Sequence, residues 1–421
     1  MKKILIISIL LSFCLVLGCT KNTKTYKDEA KIYITSDTHF YSRSLVDDKS
    51  SLRKEGYISD LKMNHLIPEI CESFFEDILN DKPDYLIITG DLSFSGEKAS
   101  HIDLANHLKK IEKNGTAVFV VPGNHDINSR SSCDYKGGET KTTSSVSYEE
   151  FLKIYKNYGY NEAIYKDNNS FSYFTKLTNN LYLLMLDTAK YDDHQEISGR
   201  VKDSSFELIR KSIDYLDEVD GKMIVASHHN INCHNDLFKT NYQIENSDEV
   251  KELIKDRCIL YFSGHMHIQS IKEESIPEIL NESLACAPCQ YGVLDVSNDS
   301  FNYKTQIINM KEYAEKHNIN DERLLDFNYY SKEFMMKISY TKTYERNMGQ
   351  TPDDKIASAF AFFHKYLDYA YFSGHVTKDI IELLENDEKY QVILRYKNEW
   401  GTKYLLSCMK EIDFSFYSSS K

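Results

Sequence analysis

The sequence predicts an α/β fold followed by a smaller helical region. Three observations carry this. Short apolar, β-branched runs alternate with stretches of helical spacing up to about residue 309, and three of the runs are joined by two helices, the pattern of a parallel sheet with crossover helices. From Lys311 onward glycine and proline become sparse and helical patterns dominate. The length, 421 residues, is ample for one large domain plus a smaller one.

The elements follow in order. Lys2 and Lys3 precede an apolar run, Ile4 to Leu17, that is too short to span a bilayer comfortably. It ends in Val16-Leu17-Gly18-Cys19 and reads as a secretory signal peptide over residues 1–18. Its end resembles the bacterial lipobox. The resemblance implies lipidation of Cys19 and anchoring at the extracellular face of the bacterial cell membrane. An ordinary signal peptide with Cys19 incidental is the alternative. Residues 19–30 then carry the lipid and a polar linker.

Lys31 to Ser36 alternates and reads as the first strand. Asn64 to Leu79 has helical spacing, with Pro68 suited to its first turn. Asp84 to Thr89 is a buried strand, and Glu97 to Lys113 a helix closed by Asn114-Gly115. Ala117 to Val121 is a third apolar strand, ended by Pro122-Gly123. Tyr148 to Tyr158 reads as helix. Ser170 to Leu177 and Leu181 to Leu186 read as strands about an Asn179-Asn180 turn. Asp203 is expected to cap a helix running to about Leu216. Lys222 to Ser227 is a strand, Ser247 to Lys255 a helix with Ser247 as N-cap, and Cys258 to Ser263 a strand. Gly292 to Val296 and Phe301 to Ile308 close a domain spanning 31–309. In the helical domain, 310–421, helices are expected near Asp321 to Ile338, Asp353 to Phe372, Lys378 to Glu385 and Glu388 to Lys397.

Hydrophobic content of 41% and charged content of 27% are ordinary for a globular chain. A net charge of −13 argues against a nucleic-acid polymer as partner. The cysteines lack regular spacing, so this is no disulfide scaffold. Cys286-Ala287-Pro288-Cys289 lacks the second ligand pair of a structural zinc site and reads as loop thiols or one local disulfide.

Chemistry gathers where the strands stop. The first strand delivers Asp37 and His39, two residues apart and so pointing the same way. The second delivers Asp91, the third Asn124, His125 and Asp126. The later strands deliver His228, then His265 and His267. Each has a bland reading as turn chemistry. Together they repeat one placement, N and O ligands beyond the carboxyl ends of buried strands, where open α/β sheets bind their ligands. Imidazole, carboxylate and amide oxygen suit Mn, Fe, Co or Zn. Two such ions about 3.5–4 Å apart clamp the attacking and leaving oxygens of an in-line displacement.

The order D-x-H, G-D, G-N-H-D, H, G-H-x-H resembles the calcineurin-like metallophosphoesterase superfamily, over residues 31 to about 309. The resemblance implies a four-layer αββα sandwich binding two divalent metal ions. It implies Asp37, His39 and His267 on one metal, and Asn124, His228 and His265 on the other. Asp91 would bridge them, and a hydroxide held between the metals would attack a small phosphoester. It makes His125 the residue that stabilises the phosphoryl group or protonates the leaving oxygen, with Asp126 orienting its ring. Gly90-Asp91-Leu92-Ser93-Phe94-Ser95-Gly96-Glu97 lacks the Asp-Arg-Gly of protein phosphatases and is similar to class III cyclic nucleotide phosphodiesterases. His228-His229-Asn230 departs from their His-His-Pro. His229 and His234 are candidate substrate contacts, or plain loop residues. His101 reads as surface or as a support behind the ligands, and Phe40 and Tyr41 as base-stacking or core. The leading expectation is a phosphodiesterase. A nucleotide phosphomonoesterase and a surface binding protein with structural metals are the alternatives.

Overall fold

The computed structural model describes residues 25–55, 61–191, 196–298 and 300–420. The signal peptide, Cys19 and the linker up to residue 24 lie outside the described residues. Among the described residues no helix is long and apolar enough to cross a membrane.

The strands are β1 Ala30–Thr35, β2 Tyr85–Ile88, β3 Ala117–Val120, β4 Cys133–Asp134, β5 Lys141–Thr142 and β6 Tyr165–Lys166. They continue with β7 Tyr173–Lys176, β8 Leu181–Leu186, β9 Lys222–Ser227, β10 Cys258–Ser263, β11 Ser270–Lys272 and β12 Glu278–Leu280. The last are β13 Gln290–Val296, β14 Ser300–Ile307, β15 His375–Val376, β16 Ile412–Asp413 and β17 Phe416–Ser420. The helices begin with α1 Ile67–Asp81, α2 Lys98–Lys113, α3 Tyr148–Tyr155, α4 Asp203–Val219, α5 Lys239–Tyr242 and α6 Ser247–Ile254. After the sheets come α7 Met310–Lys316, α8 Glu322–Leu325, α9 Phe327–Gln350, α10 Asp354–Phe372, α11 Lys378–Glu385, α12 Lys389–Arg395 and α13 Trp400–Cys408.

Two mixed sheets pack face to face. One runs β17-β14-β13-β1-β2-β3, the other β11-β12-β10-β9-β8-β7-β6. β1, β2 and β3 are parallel, as are β8, β9 and β10. The apolar run of β8 shows why two layers flank it. Leu181, Leu183 and Met185 enter the core shared with the first sheet. Tyr182, Leu184 and Leu186 enter a second core with Phe206, Ile209 and Leu216 of α4 and Val250 and Ile254 of α6. A strand buried on both faces has no polar alternation. With α1 and α2 on the other side of the first sheet, the layers are helix, sheet, sheet, helix.

Several caps differ from expectation. Asn246, not Ser247, occupies the N-cap of α6, and Asp203 is the first residue of α4, after Lys202. The expected helix at Asp321 to Ile338 is two, broken at Asp326, with the second running on to Gln350. The helical region packs partly on the sheets and partly on itself. Leu324, Phe327, Phe334, Met335 and Ile338 join the main core, whereas Phe360, Phe363, Leu384, Ile393 and Leu405 make a core of their own. β17 then returns to the edge of the first sheet beside β14. Cys286 and Cys289 are buried free thiols, so no local disulfide joins them.

Candidate metal centre

Backbone bonds continue past the strand ends and hold the site loops in register. Asp37 N donates to Gly90 O and His39 N to Asp91 O, each at 3.0 Å. The turns are tight enough to force non-glycine residues into the left-handed region: Asp37 at φ 49°, His39 at 43°, Asp91 at 46°, His265 at 68° and His267 at 59°. Such conformations cost of order 1–3 kcal/mol each and persist only where the surroundings over-determine them. Gly123 and Gly264 let the loops close: a Cβ on Gly123 would stand 2.2 Å from Asp91 Oδ1, and one on Gly264 1.7 Å from Ser36 Oγ.

Two groups of ligand atoms result. Asp37, His39, Asp91 and His267 offer atoms within 4.8 Å of one another. His39 Nε2 and His267 Nε2 face each other at 3.2 Å, and His267 Nε2 lies 3.3 Å from Asp37 Oδ1. That oxygen is buried and meets no hydrogen bond of good geometry. Its partner Oδ2 accepts from Ser36 Oγ and from His265 N. In the second group, His228 Nε2 is 3.0 Å from Asn124 Oδ1 and 3.1 Å from His265 Nδ1. Asp91 stands between the groups. Its Oδ2 is 3.9 Å from His39 Nε2 and its Oδ1 3.5 Å from His228 Nε2. Converging nitrogens, an orphaned carboxylate oxygen and a carboxylate shared by both groups fit a dinuclear metal site. Burial holds His39 and His265 well below the ordinary imidazole pKa, reinforced by Lys62 beside the first and His229 beside the second. Their rings are therefore neutral, the state that ligates metals. Burial works the other way on Asp37, but the surrounding imidazoles outweigh it and keep the carboxyl well below its usual range.

His125 sits at the mouth, its side chain 40% exposed, with Nε2 3.9 Å from Asp91 Oδ2. Its Nδ1 is 3.1 Å from the Phe94 carbonyl, which sets the ring. The expectation that Asp126 does so is corrected. The Asp126 carboxylate is fully buried and accepts from the backbone N–H groups of Leu92, Ser93 and Gly123. It staples the Asp91 loop to the Asn124 turn. His101 lies buried behind it, bonded to Ser93 Oγ and the Asp126 carbonyl, and is not on the surface.

His229 and His234 do not present a free nitrogen to a substrate. His229 Nδ1 meets Thr188 Oγ1 at 2.8 Å and Nε2 the Ile197 carbonyl at 2.9 Å. His229 is near enough to His228 and His265 to count as a ligand by distance alone, yet both nitrogens are engaged and Asn124 is the better-placed donor. His234 bonds Ser270 Oγ and Glu278, 3.1 Å away. Phe40 and Tyr41 are core residues.

The structure adds residues that no local pattern marks. Lys62 is buried, its ammonium 5.8 Å from the centre of the Phe94 ring. The Tyr242 ring lies 4.8 Å from that of His265, and the Asn241 carbonyl 3.2 Å from His265 Nε2. Lys62 lies in a loop and Tyr242 in a one-turn helix, so neither has periodicity to betray it.

Comparison with known proteins follows the same lines. Residues 30–269 match the calcineurin-like phosphoesterase family. Residues 309–414 match the C-terminal domain of cyclic nucleotide phosphodiesterase. Among solved structures, a dimetal phosphatase from Danio rerio is similar at 11% identity and a TM-score of 0.48, covering 66% of this chain and 96% of that one. A putative 5'-nucleotidase from Staphylococcus aureus aligns at 12% identity and a TM-score of 0.36, covering 63% of this chain and 50% of that one. No curated protein matches the chain. A family match over more than half the sequence, joined to buried His and Asp groups of dinuclear form, establishes that the chain belongs to the calcineurin-like phosphoesterases, metal-dependent hydrolases of phosphoesters.

Proposed function

We propose that the protein is a phosphodiesterase acting on a small phosphodiester, with 3',5'-cyclic nucleotides as the substrate class. The observation that carries the reading is Asp91, whose two carboxylate oxygens face different ligand groups while His125 stands alongside at the open mouth. The match of the helical region to the C-terminal domain of a cyclic nucleotide phosphodiesterase supports the substrate class.

In this reading Asp37, His39 and His267 would hold one divalent cation and Asn124, His228 and His265 the other, with Asp91 placed to serve both. Bound cations of the Mn, Fe, Co or Zn kind supply Lewis acidity to the phosphoryl oxygens and lower the pKa of water. The protein's own part is positioning and proton transfer. The Phe94 carbonyl, 3.1 Å from His125 Nδ1, turns Nε2 toward the mouth. When protonated there, His125 would give that proton to the departing alkoxide. Lys62 adds positive charge near His39 and His125.

The test is turnover of bis(p-nitrophenyl) phosphate, cyclic AMP and AMP by Mn-loaded protein. Diester hydrolysis that Asp91→Asn abolishes is the expected result. Hydrolysis of AMP alone would make the protein a phosphomonoesterase, and no turnover of any ester would sink both.

A further inference from the structure

The helical region holds a cavity of about 570 Å³ between α9, α10 and α13, and none of the candidate metal ligands lines it. One wall is a slab of rings. Trp400 lies on Tyr404 at 5.8 Å between centroids and 4° between planes. His364 also stacks on Tyr404, 5.7 Å away and 25° from parallel. Tyr404 is buried as a core residue should be, but Trp400 is 55% exposed. Its packing on Tyr404 and Phe238 leaves about half of the indole open. The His364 side chain is only 10% exposed, and its Nδ1 is held by Asp368 at 3.0 Å. Its Nε2 has no hydrogen bond among the described residues, in a ring that lines the cavity. From α9, Lys342 and Arg346, one turn apart and exposed, add two cations to a lining that also holds the Glu399 and Asp368 carboxylates. Neither is ion-paired among the described residues.

Exposed indole, two cations and a buried imidazole in one cavity describe the recognition of an aromatic anion. We propose that this cavity is a second, non-catalytic site for a nucleoside monophosphate. The base stacks on Trp400, as bases do on aromatic platforms. Lys342 and Arg346 hold the phosphate through charge-assisted hydrogen bonds, and His364 Nε2 bonds the ligand between them. The volume lies in the range of small-ligand pockets. The site also touches the catalytic loops. Phe238 packs on Trp400 at 5.6 Å and on Tyr242 at 5.5 Å, and Tyr242 packs on His265.

Trp400 is the sole tryptophan, so its fluorescence reports on this site alone. The full chain is titrated with AMP to millimolar concentration, with and without EDTA, by fluorescence and by calorimetry. Saturable quenching and heat, insensitive to EDTA, are expected. Lys342→Ala/Arg346→Ala, confined to exposed positions, should weaken AMP roughly tenfold or more. Absence of saturable binding by both methods, binding lost in EDTA, or affinity unchanged in the double variant would overturn the proposal. None of these readouts needs turnover, so they stand whatever becomes of the phosphodiesterase reading.

Discussion

Single side chains in this protein are governed by burial. Glu97 opens α2 with its carboxylate enclosed, accepting from Ser95 N at 3.0 Å while its other oxygen has no partner. Burial raises its pKa from 4.5 to about 7, and the hydrogen bonds offset this only in part. Because the folded pKa is raised, the acid contributes stability fully below pH 4.5 and loses it as pH rises through about 7. Glu97→Gln should therefore gain on the wild type between those limits, by about 3 kcal/mol at pH 8. Paired denaturant curves at several pH values check this; a constant difference between the two proteins would refute the assignment. Asp126, likewise held up to about 7 by burial and then by Asp91, shows the same physics beside the site.

At the scale of elements, the strand ends are held against one another with no spare volume. Gly264 follows β10, and a Cβ there would lie 2.3 Å from Asp37 Oδ2. Gly264→Ala should thus push Asp37 off its bond to His265 N while leaving the strands intact. The expected result is native circular dichroism with metal affinity lowered roughly 10–100-fold. Metal content after dialysis measures it, and full retention would show that the loop has room to give. The strands were legible in the sequence because each is a short apolar run bounded by turn residues, as in Leu181–Leu186 and Cys258–Ser263. β11 and β12 were not, since at Ser270–Lys272 and Glu278–Leu280 they are too short for any period to show.

Over the whole molecule, the division at residue 309 is a change in composition and not a gap in the core. Phe327, Phe334 and Met335 of α9 lie in the same apolar cluster as the sheets, and β17 extends the first sheet. Burial of each such side chain contributes about 1.5–3 kcal/mol. A chain ending at residue 309 should be less stable by several kcal/mol, with Tm lower by roughly 10 °C or more, or should aggregate. An unchanged melting curve would show the helical region to be an independent domain. The Gln269 N to Phe372 O bond, two residues past His267, fastens that region to the metal loops as well.

The sequence alone determined the α/β class, the order of the strands that carry the site and the residue types at their ends. Those properties are local: an apolar run makes a strand wherever it lies, and a turn residue stops it. The tertiary structure decided what depends on distant partners. His39 meets His267 across 228 positions. His229, beside His228 in the chain, turns its ring to Thr188 and Ile197. Asp126, beside His125, turns to backbone amides. Adjacent residues on a strand end point to opposite sides, so neighbours in sequence are assigned different work by whatever the fold packs against each face.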